Sequence, residues 1–191
     1  MIGDIKIRPV SIMDTDRILE IYAPYVRDTA VSFETEVPGR DEFSERIKKI
    51  IKKYPYLVAE MDGRIVGYAY AGVFKNRAAY DHCVETTIYL DKDMKRAGIG
   101  SLLYEKLEEI LGRMGVLNMN ACIAYPAKED EYLTMDSIHF HEKMGYRMVG
   151  RFHNSGYKFD RWYDMVWMEK LIGEHTSPQG NVVKFNEKLF K

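Results

Sequence analysis

A chain of 191 residues, 46% hydrophobic and 30% charged, has enough apolar material for one well-filled core, and a single domain is the expectation. The formal net charge of -1 gives no electrostatic case for nucleic acid or an acidic membrane as partner. No apolar run approaches the roughly 20 residues of a bilayer span, MIGDIKIRPVS lacks a secretion-signal pattern, and a cytoplasmic location follows by default.

Residues 5–10, IKIRPV, read as a short strand. A helix follows, with Asp14 as its N-cap, Ile18, Leu19, Ile21 and Tyr22 on one side, and Pro24 set to end or kink it. A loop leads to a second helix over 41–53, striped by Phe43, Ile47, Ile50 and Ile51. YLVAEM and RIVGYAYAGVF flank Asp62-Gly63, a strong hairpin signal, and 83–90 is the next strand. A helix over 98–114 carries Ile99, Leu103, Leu107, Leu111 and Met114 at helical spacing. LNMNACIAY is a strand, MDSIHFHEKMG a short helix closed by Gly145, and YRMVGRFH with WYDMVWMEKL a final antiparallel pair. From about Gly173 the periodicity is lost and the tail is expected to run over the surface. The order βααβββαβαββ describes a mixed sheet flanked by helices, a domain over 1–171 with a surface tail over 172–191. Cys83 and Cys122 lie in apolar runs without metal-ligand spacing and read as reduced core thiols.

The turn KRAGIG joins a strand to a helix, so unpaired backbone N–H groups meet a positive dipole end, an arrangement suited to phosphate oxygens. Lys95 and Arg96 add charge, Ser101 a hydroxyl, and Gly98 and Gly100 allow close backbone approach. A tight connection with two solvated cations is the plainer reading. A Walker A loop is absent, and GIGSLL has Leu103 where a dinucleotide fingerprint needs its third glycine. With its flanking strand and helix, KRAGIGS resembles the Gln/Arg-x-x-Gly-x-Gly/Ala pyrophosphate loop of the GNAT N-acetyltransferases, with Lys95 in place of the usual Gln or Arg. RIVGYAYAGVFKNRAAYDHCVETTIYL, YPYLVAE, VSFETE, HEKMGY and GYKFDRWYDMVWMEK resemble the phosphinothricin and methionine sulfoximine branch of that family, over about residues 5–170.

The resemblance implies the GNAT fold: one α/β domain with a mostly antiparallel sheet, a splayed strand pair and flanking helices. It also implies acetyl-CoA as cosubstrate, a small amino-acid-like amine as acceptor, and commonly a homodimer; no metal is implied. Its pyrophosphate site would comprise Lys95, Arg96, Ala97, Gly98, Ile99, Gly100 and Ser101, with the pantetheine arm along Ile88, Tyr89 and Leu90. Glu85, alternating with Val84 and Thr86 on β-spacing, aligns with the branch's catalytic glutamate; without the family it reads either as a base or as a solvated strand-edge residue. His141 stands where many members carry a tyrosine that protonates the departing thiolate, and would relay a proton or act as a second base. His139 and His141 do not face one another on a helix, which argues against a metal pair.

Arg77 and Tyr80 match the branch's substrate-binding pair, with Lys75 in the same loop; read alone, this is an exposed basic loop. Phe33 aligns with an aromatic of the pocket wall or is a core residue, and Tyr157 contributes to the pocket from the last β pair. The branch's Pro-Asn-x-x-Ser is replaced by the longer YPAKEDEYLTMDS, with Thr134 in the place of a coenzyme-contacting Asn and Ser137 retained. That acidic insertion is expected to reshape the pocket. The rivals are transfer to a polyamine, peptide N-terminus or aminoglycoside, and an acyl-CoA sensor without turnover. Cationic acceptors would favour an acidic mouth, against which Arg77 and Lys75 argue.

Overall fold

The computed structural model describes residues 4–94 and 98–191. Its elements are β1 (Ile5–Pro9), α1 (Thr15–Asp28), α2 (Arg40–Ile51), β2 (Tyr56–Met61), β3 (Arg64–Val73) and β4 (Cys83–Leu90), then α3 (Ile99–Met114), β5 (Asn118–Tyr125), α4 (Asp136–Lys143), β6 (Arg147–Lys158), β7 (Arg161–Leu171) and a final turn of helix, α5 (Glu187–Phe190). One seven-stranded sheet runs in the order β1-β2-β3-β4-β5-β7-β6. It is mixed: β4 and β5 are parallel and every other neighbouring pair is antiparallel.

Both faces are covered, which explains why β2 is buried along most of its length. Leu57 and Ala59 face α3, whose Ile99, Leu103, Leu107 and Leu111 are buried in the larger core. Tyr56 and Val58 face α1 and α2, against Ile18, Ile21, Phe43 and Ile47. The two-residue turn between β2 and β3 holds Asp62 at φ 52° and Gly63 at φ 77°, the left-handed pair that a tight hairpin requires.

Asp14 holds the N-cap position of α1, as expected, but its carboxylate makes no cap bond to that helix. It closes a capping box one turn earlier: the Ser11 hydroxyl accepts from Met13 N, and the Asp14 carboxylate accepts from Ser11 N at 2.7 Å. Asp14 is thereby oriented to hold the Arg8 guanidinium at 2.7 and 3.0 Å. Pro24 does not end α1, which runs on to Asp28. One lost backbone hydrogen bond is outweighed there by tertiary anchors: Val26 is fully buried and Tyr25 donates to Leu90 O at 2.6 Å. The segment after Leu171 lies along α3, with Val183 N donating to Met114 O and Phe185 N to Lys53 O; Phe185 and Leu189 pack against the larger core.

Candidate active site

The parallel β4–β5 ladder is short. Only Cys83, Val84 and Glu85 pair with Asn118, Met119 and Asn120, although both strands continue for five more residues. Side chains take over where the ladder stops. Asn120 Nδ2 donates to Val84 O at 3.1 Å, and Thr86 Oγ1 donates to Asn120 O at 3.1 Å. Beyond them the strands part, and a cavity of about 300 Å³ occupies the gap. It is walled from both sides of the sheet: Tyr104, Ser137 and His141 on the α3–α4 side, Phe33, Tyr70 and Tyr89 on the α1–α2 side. Glu85 stands at the vertex.

Glu85 is half-buried. Loss of hydration raises its pKa above the ordinary carboxylate value, and the cation of Lys75 pulls it back. Lys75 is steered there by aromatic faces, its ammonium lying 5.0 Å from the Phe74 ring centre and 5.1 Å from that of Trp167. Cys122 also lines the cavity, which corrects its expected place in the core. Shielding from water, then the Glu85 charge, push its thiol up to about 11.

His141 is buried, and burial lowers its pKa to about 4. The ring is neutral at ordinary pH, and its tautomer follows from its neighbours: Nδ1–H donates to Ser137 O at 2.7 Å, so Nε2 accepts from the Tyr104 hydroxyl at 3.1 Å. The Tyr146 hydroxyl lies 3.0 Å from Thr86 Oγ1, extending this polar chain beneath the cavity. Tyr104, Tyr146 and Thr86 escaped the sequence reading. Tyr104 falls within the apolar stripe of α3, where a tyrosine looks like core; only its position one turn after Gly100 marks the helix face that meets His141.

A well-tied loop forms the α1–α2 side. Lys158, buried at the end of β6, donates to Val26 O and Ser32 O, both at 2.7 Å, and burial lowers its pKa. The Tyr22 and Ser32 hydroxyls lie 2.7 Å apart. Phe33 is thus set over the cavity, so tightly against Gly156 that a Cβ there would lie 2.4 Å from its ring. The insertion closes a third side. Asp130 accepts from Tyr132 N, Leu133 N and the Tyr163 hydroxyl at 2.8–2.9 Å, and Arg161 is held by Asp130 and by both oxygens of Glu131. Asp130 and Glu131 thus share the one Arg161 cation, and Leu133, missed in the sequence, is buried in the cavity wall.

At the glycine turn, Lys95, Arg96 and Ala97 lie outside the described residues. Gly98 is the N-cap of α3 at φ 77°, with open space where a Cβ would point and no side-chain cap. The first N–H groups of α3 therefore lack intrahelical partners. At Gly100 packing also favours glycine, since a Cβ would press within 3.0 Å of the Phe140 ring. Ile99 is fully buried, and Ser101 borders a separate groove with Lys143 and Lys170.

Of the sequence-derived candidates, Phe33, Glu85, Ile88, Tyr89, Ser137 and His141 meet around the cavity. Leu90 packs on the core, its carbonyl taken by Tyr25. Arg77 is exposed at the start of a short turn over 78–80, and Tyr80 leans edge-on against Phe74 with ring centres 6.0 Å apart. Thr134 is exposed, with Asp136 N donating to its hydroxyl at 3.4 Å. Tyr157 is exposed, donates to Asp160 at 3.2 Å and packs 5.0 Å from Trp162, away from the cavity lining.

This arrangement has counterparts. Residues 7–167 match the model of the acetyltransferase (GNAT) domain. A phosphinothricin N-acetyltransferase of Streptomyces viridochromogenes is 32% identical over 87% of this chain and 87% of its own. An L-methionine sulfoximine/L-methionine sulfone acetyltransferase of Salmonella typhimurium is 28% identical over 86% of this chain and 93% of its own. The crystal structure of a phosphinothricin acetyltransferase from Sinorhizobium meliloti in complex with AcCoA superposes with a TM-score of 0.85 at 30% identity, covering 98% of both chains. The chain belongs to the GNAT family of acetyltransferases and resembles its phosphinothricin and methionine sulfoximine branch.

Proposed function

We propose that the protein transfers acetyl from acetyl-CoA directly to the α-amine of a small amino-acid-like molecule, of the phosphinothricin or methionine sulfoximine type, with both substrates bound together. The observation that carries this reading is the gap between β4 and β5, which opens at Glu85 and is walled from both sides of the sheet. Beyond Glu85, the edge of β4 has no ladder partner in β5, so the alternate N–H groups that face that edge can meet an amide-bearing arm running along Ile88, Tyr89 and Leu90. The N–H groups at the N-terminus of α3, over Gly98, Ile99, Gly100 and Ser101, suit a pyrophosphate, as do the cationic residue types Lys95 and Arg96.

On the opposite side of the sheet the amine sits by Glu85, which takes its proton directly or through one water. The freed nitrogen lone pair attacks the thioester carbonyl; the C–N bond forms, the C–S bond breaks, and the thiolate takes up the second proton that the nitrogen sheds on becoming an amide. Holding both partners in one cavity makes the attack unimolecular, and the free amides of β4 offer donors to the developing oxyanion. His141 is neutral, and its Nε2 lone pair accepts a hydrogen bond from the Tyr104 hydroxyl and orients it. Arg77 and Tyr80 would bind the acceptor's acidic end from the loop that also carries Lys75.

The exposed apolar strip of Met148, Val149, Phe152, Tyr157 and Trp162 along the edge pair β6–β7 supports a homodimer, which sedimentation at micromolar concentration tests. No described helix is long and apolar enough to cross a membrane, and a cytoplasmic site of action is part of the proposal. The decisive test is a panel of amines with acetyl-CoA, following thiol release: methionine sulfoximine, phosphinothricin, ordinary amino acids and spermidine. Turnover with the amino-acid-like members is expected. Turnover with spermidine alone would move the acceptor class, and coenzyme binding without any turnover would make the protein a sensor.

A further inference from the structure

Val31, Ser32 and Phe33 enter the cavity wall from a loop that belongs to no helix or strand, so contacts from elsewhere must fix where they stand. Two grips on that loop lead back to the turn between β6 and β7. Lys158, the last residue of β6 and only 6% exposed, sends its ammonium to Val26 O and Ser32 O, each at 2.7 Å. Next in that turn, Phe159 stacks on Tyr132 with ring centres 4.2 Å apart, and Tyr132 O accepts from Ala30 N at 3.0 Å. A longer α1 would join Ala30 N to Val26 O. Here each has a different tertiary partner, and the chain leaves the helix between them. The turn itself is strained: Phe159 and Asp160 stand at φ 53° and 56°, a left-handed pair that a phenylalanine adopts only when its surroundings hold it there.

We propose that Lys158 is a positioning residue for the acceptor: by engaging the end of α1 and the Ser32 carbonyl together, it sets where Phe33 stands over the Glu85 cavity. The inference rests on the acceptor reading above and adds a residue that touches neither substrate, since Lys158 does not border the cavity. Its ammonium is held by two buried carbonyl oxygens, which fix it by direction as well as by distance. One of them, Val26 O, lies in the last turn of α1, where carbonyls lack helical partners and the helix dipole favours a cation. The other belongs to Ser32, whose hydroxyl lies 2.7 Å from that of Tyr22 and accepts from Glu34 N at 3.2 Å. A shift at Ser32 is therefore passed to Phe33, which stands between Ser32 and Glu34. Methionine at position 158 would fill similar volume but leave both carbonyls without this donor, so the cost would fall on the loop.

Thiol release is measured for the wild type and Lys158→Met, with melting curves as a folding control. Acetyl-CoA and the better acceptor of methionine sulfoximine and phosphinothricin are varied in turn. Lys158→Met should raise KM for the acceptor by about tenfold, the scale of one hydrogen bond to a charged group, and leave KM for acetyl-CoA within about twofold. Equal changes in both KM values, or none, overturn the proposal. A second measurement needs no variant, and decides the matter if Lys158→Met does not fold. Acetic anhydride labels the lysines of the wild type, and peptide mass spectrometry reads the rates. Lys158 should react far more slowly than the exposed Lys49, and saturating acceptor should slow it further, because the tie and acceptor binding are coupled in both directions. Labelling at the rate of Lys49, or a rate unmoved by the acceptor, overturns the proposal. If neither amine is acetylated, the acceptor reading falls, and hydrogen exchange judges the tie by itself. Faster exchange across 28–36 in Lys158→Met, with β4 and α3 unchanged, keeps Lys158 as the residue that positions this wall; unchanged exchange refutes it.

Discussion

Glu85 and His141 border the same cavity, and burial drives both towards their uncharged forms, yet they are held in different ways. His141 has a hydrogen bond on each ring nitrogen and is locked into one tautomer. Among the described residues the Glu85 carboxylate makes no side-chain hydrogen bond, while loss of hydration and the nearby Lys75 cation act on it. The first is a fixed part of the wall. The second can exchange a proton without breaking a network, which is what a base at a reacting amine needs. Burial alone therefore does not mark a catalytic group; burial without saturated partners does.

The contrast can be broken most directly at Glu85. Glu85→Gln keeps the shape and removes the base, and kcat/KM at neutral pH should fall by about 10²–10⁴-fold. The wild-type kcat/KM should rise with pH through an apparent pKa above the ordinary carboxylate range, and the variant should lose that limb. An undiminished rate would move the base elsewhere.

Stability against pH sharpens the other half. His141 has a folded pKa of about 4, below its unfolded value of 6.5, so unfolding takes up a proton between those values. Its contribution is fully present above pH 6.5, is lost as pH falls towards 4, and amounts to roughly 3 kcal/mol. Urea unfolding at stepped pH should show this loss in the wild type, and His141→Gln should lack that component. Equal slopes for the two proteins would mean that the imidazole is not held neutral. The smallest effect concerns the wall opposite. Gly156→Ala forces a methyl against Phe33, and should lower stability by about 1–3 kcal/mol and raise KM for the acceptor while leaving that for acetyl-CoA unchanged. Equal changes in both KM values would separate Phe33 from the acceptor.

The element order was legible because periodicity is a local signal: the stripe of α3, the alternation of β4 and the Asp62-Gly63 turn each lie within a few residues. Glu85 and His141 were found through family motifs and could be weighed chemically because a carboxylate or imidazole in an apolar run is anomalous. Tyr104, Thr86 and Leu133 were hidden because each satisfies the ordinary pattern of its element. The expectation that Pro24 ends or kinks α1 missed the helix's continuation because the partner that holds it there, Leu90, lies outside the local window.

By itself, then, the sequence determined which segments coil or extend, where the chain reverses, and that a glycine precedes the third long helix. Only the tertiary structure decided that β4 and β5 separate after Glu85 and Asn120, that two carboxylates of the acidic insertion pair with Arg161, and that His141 carries its proton on Nδ1. Backbone preference is set by neighbours a few residues away. Charge state and cavity shape are set by whatever long-range packing brings within a few ångströms, and that is fixed only when the whole core closes.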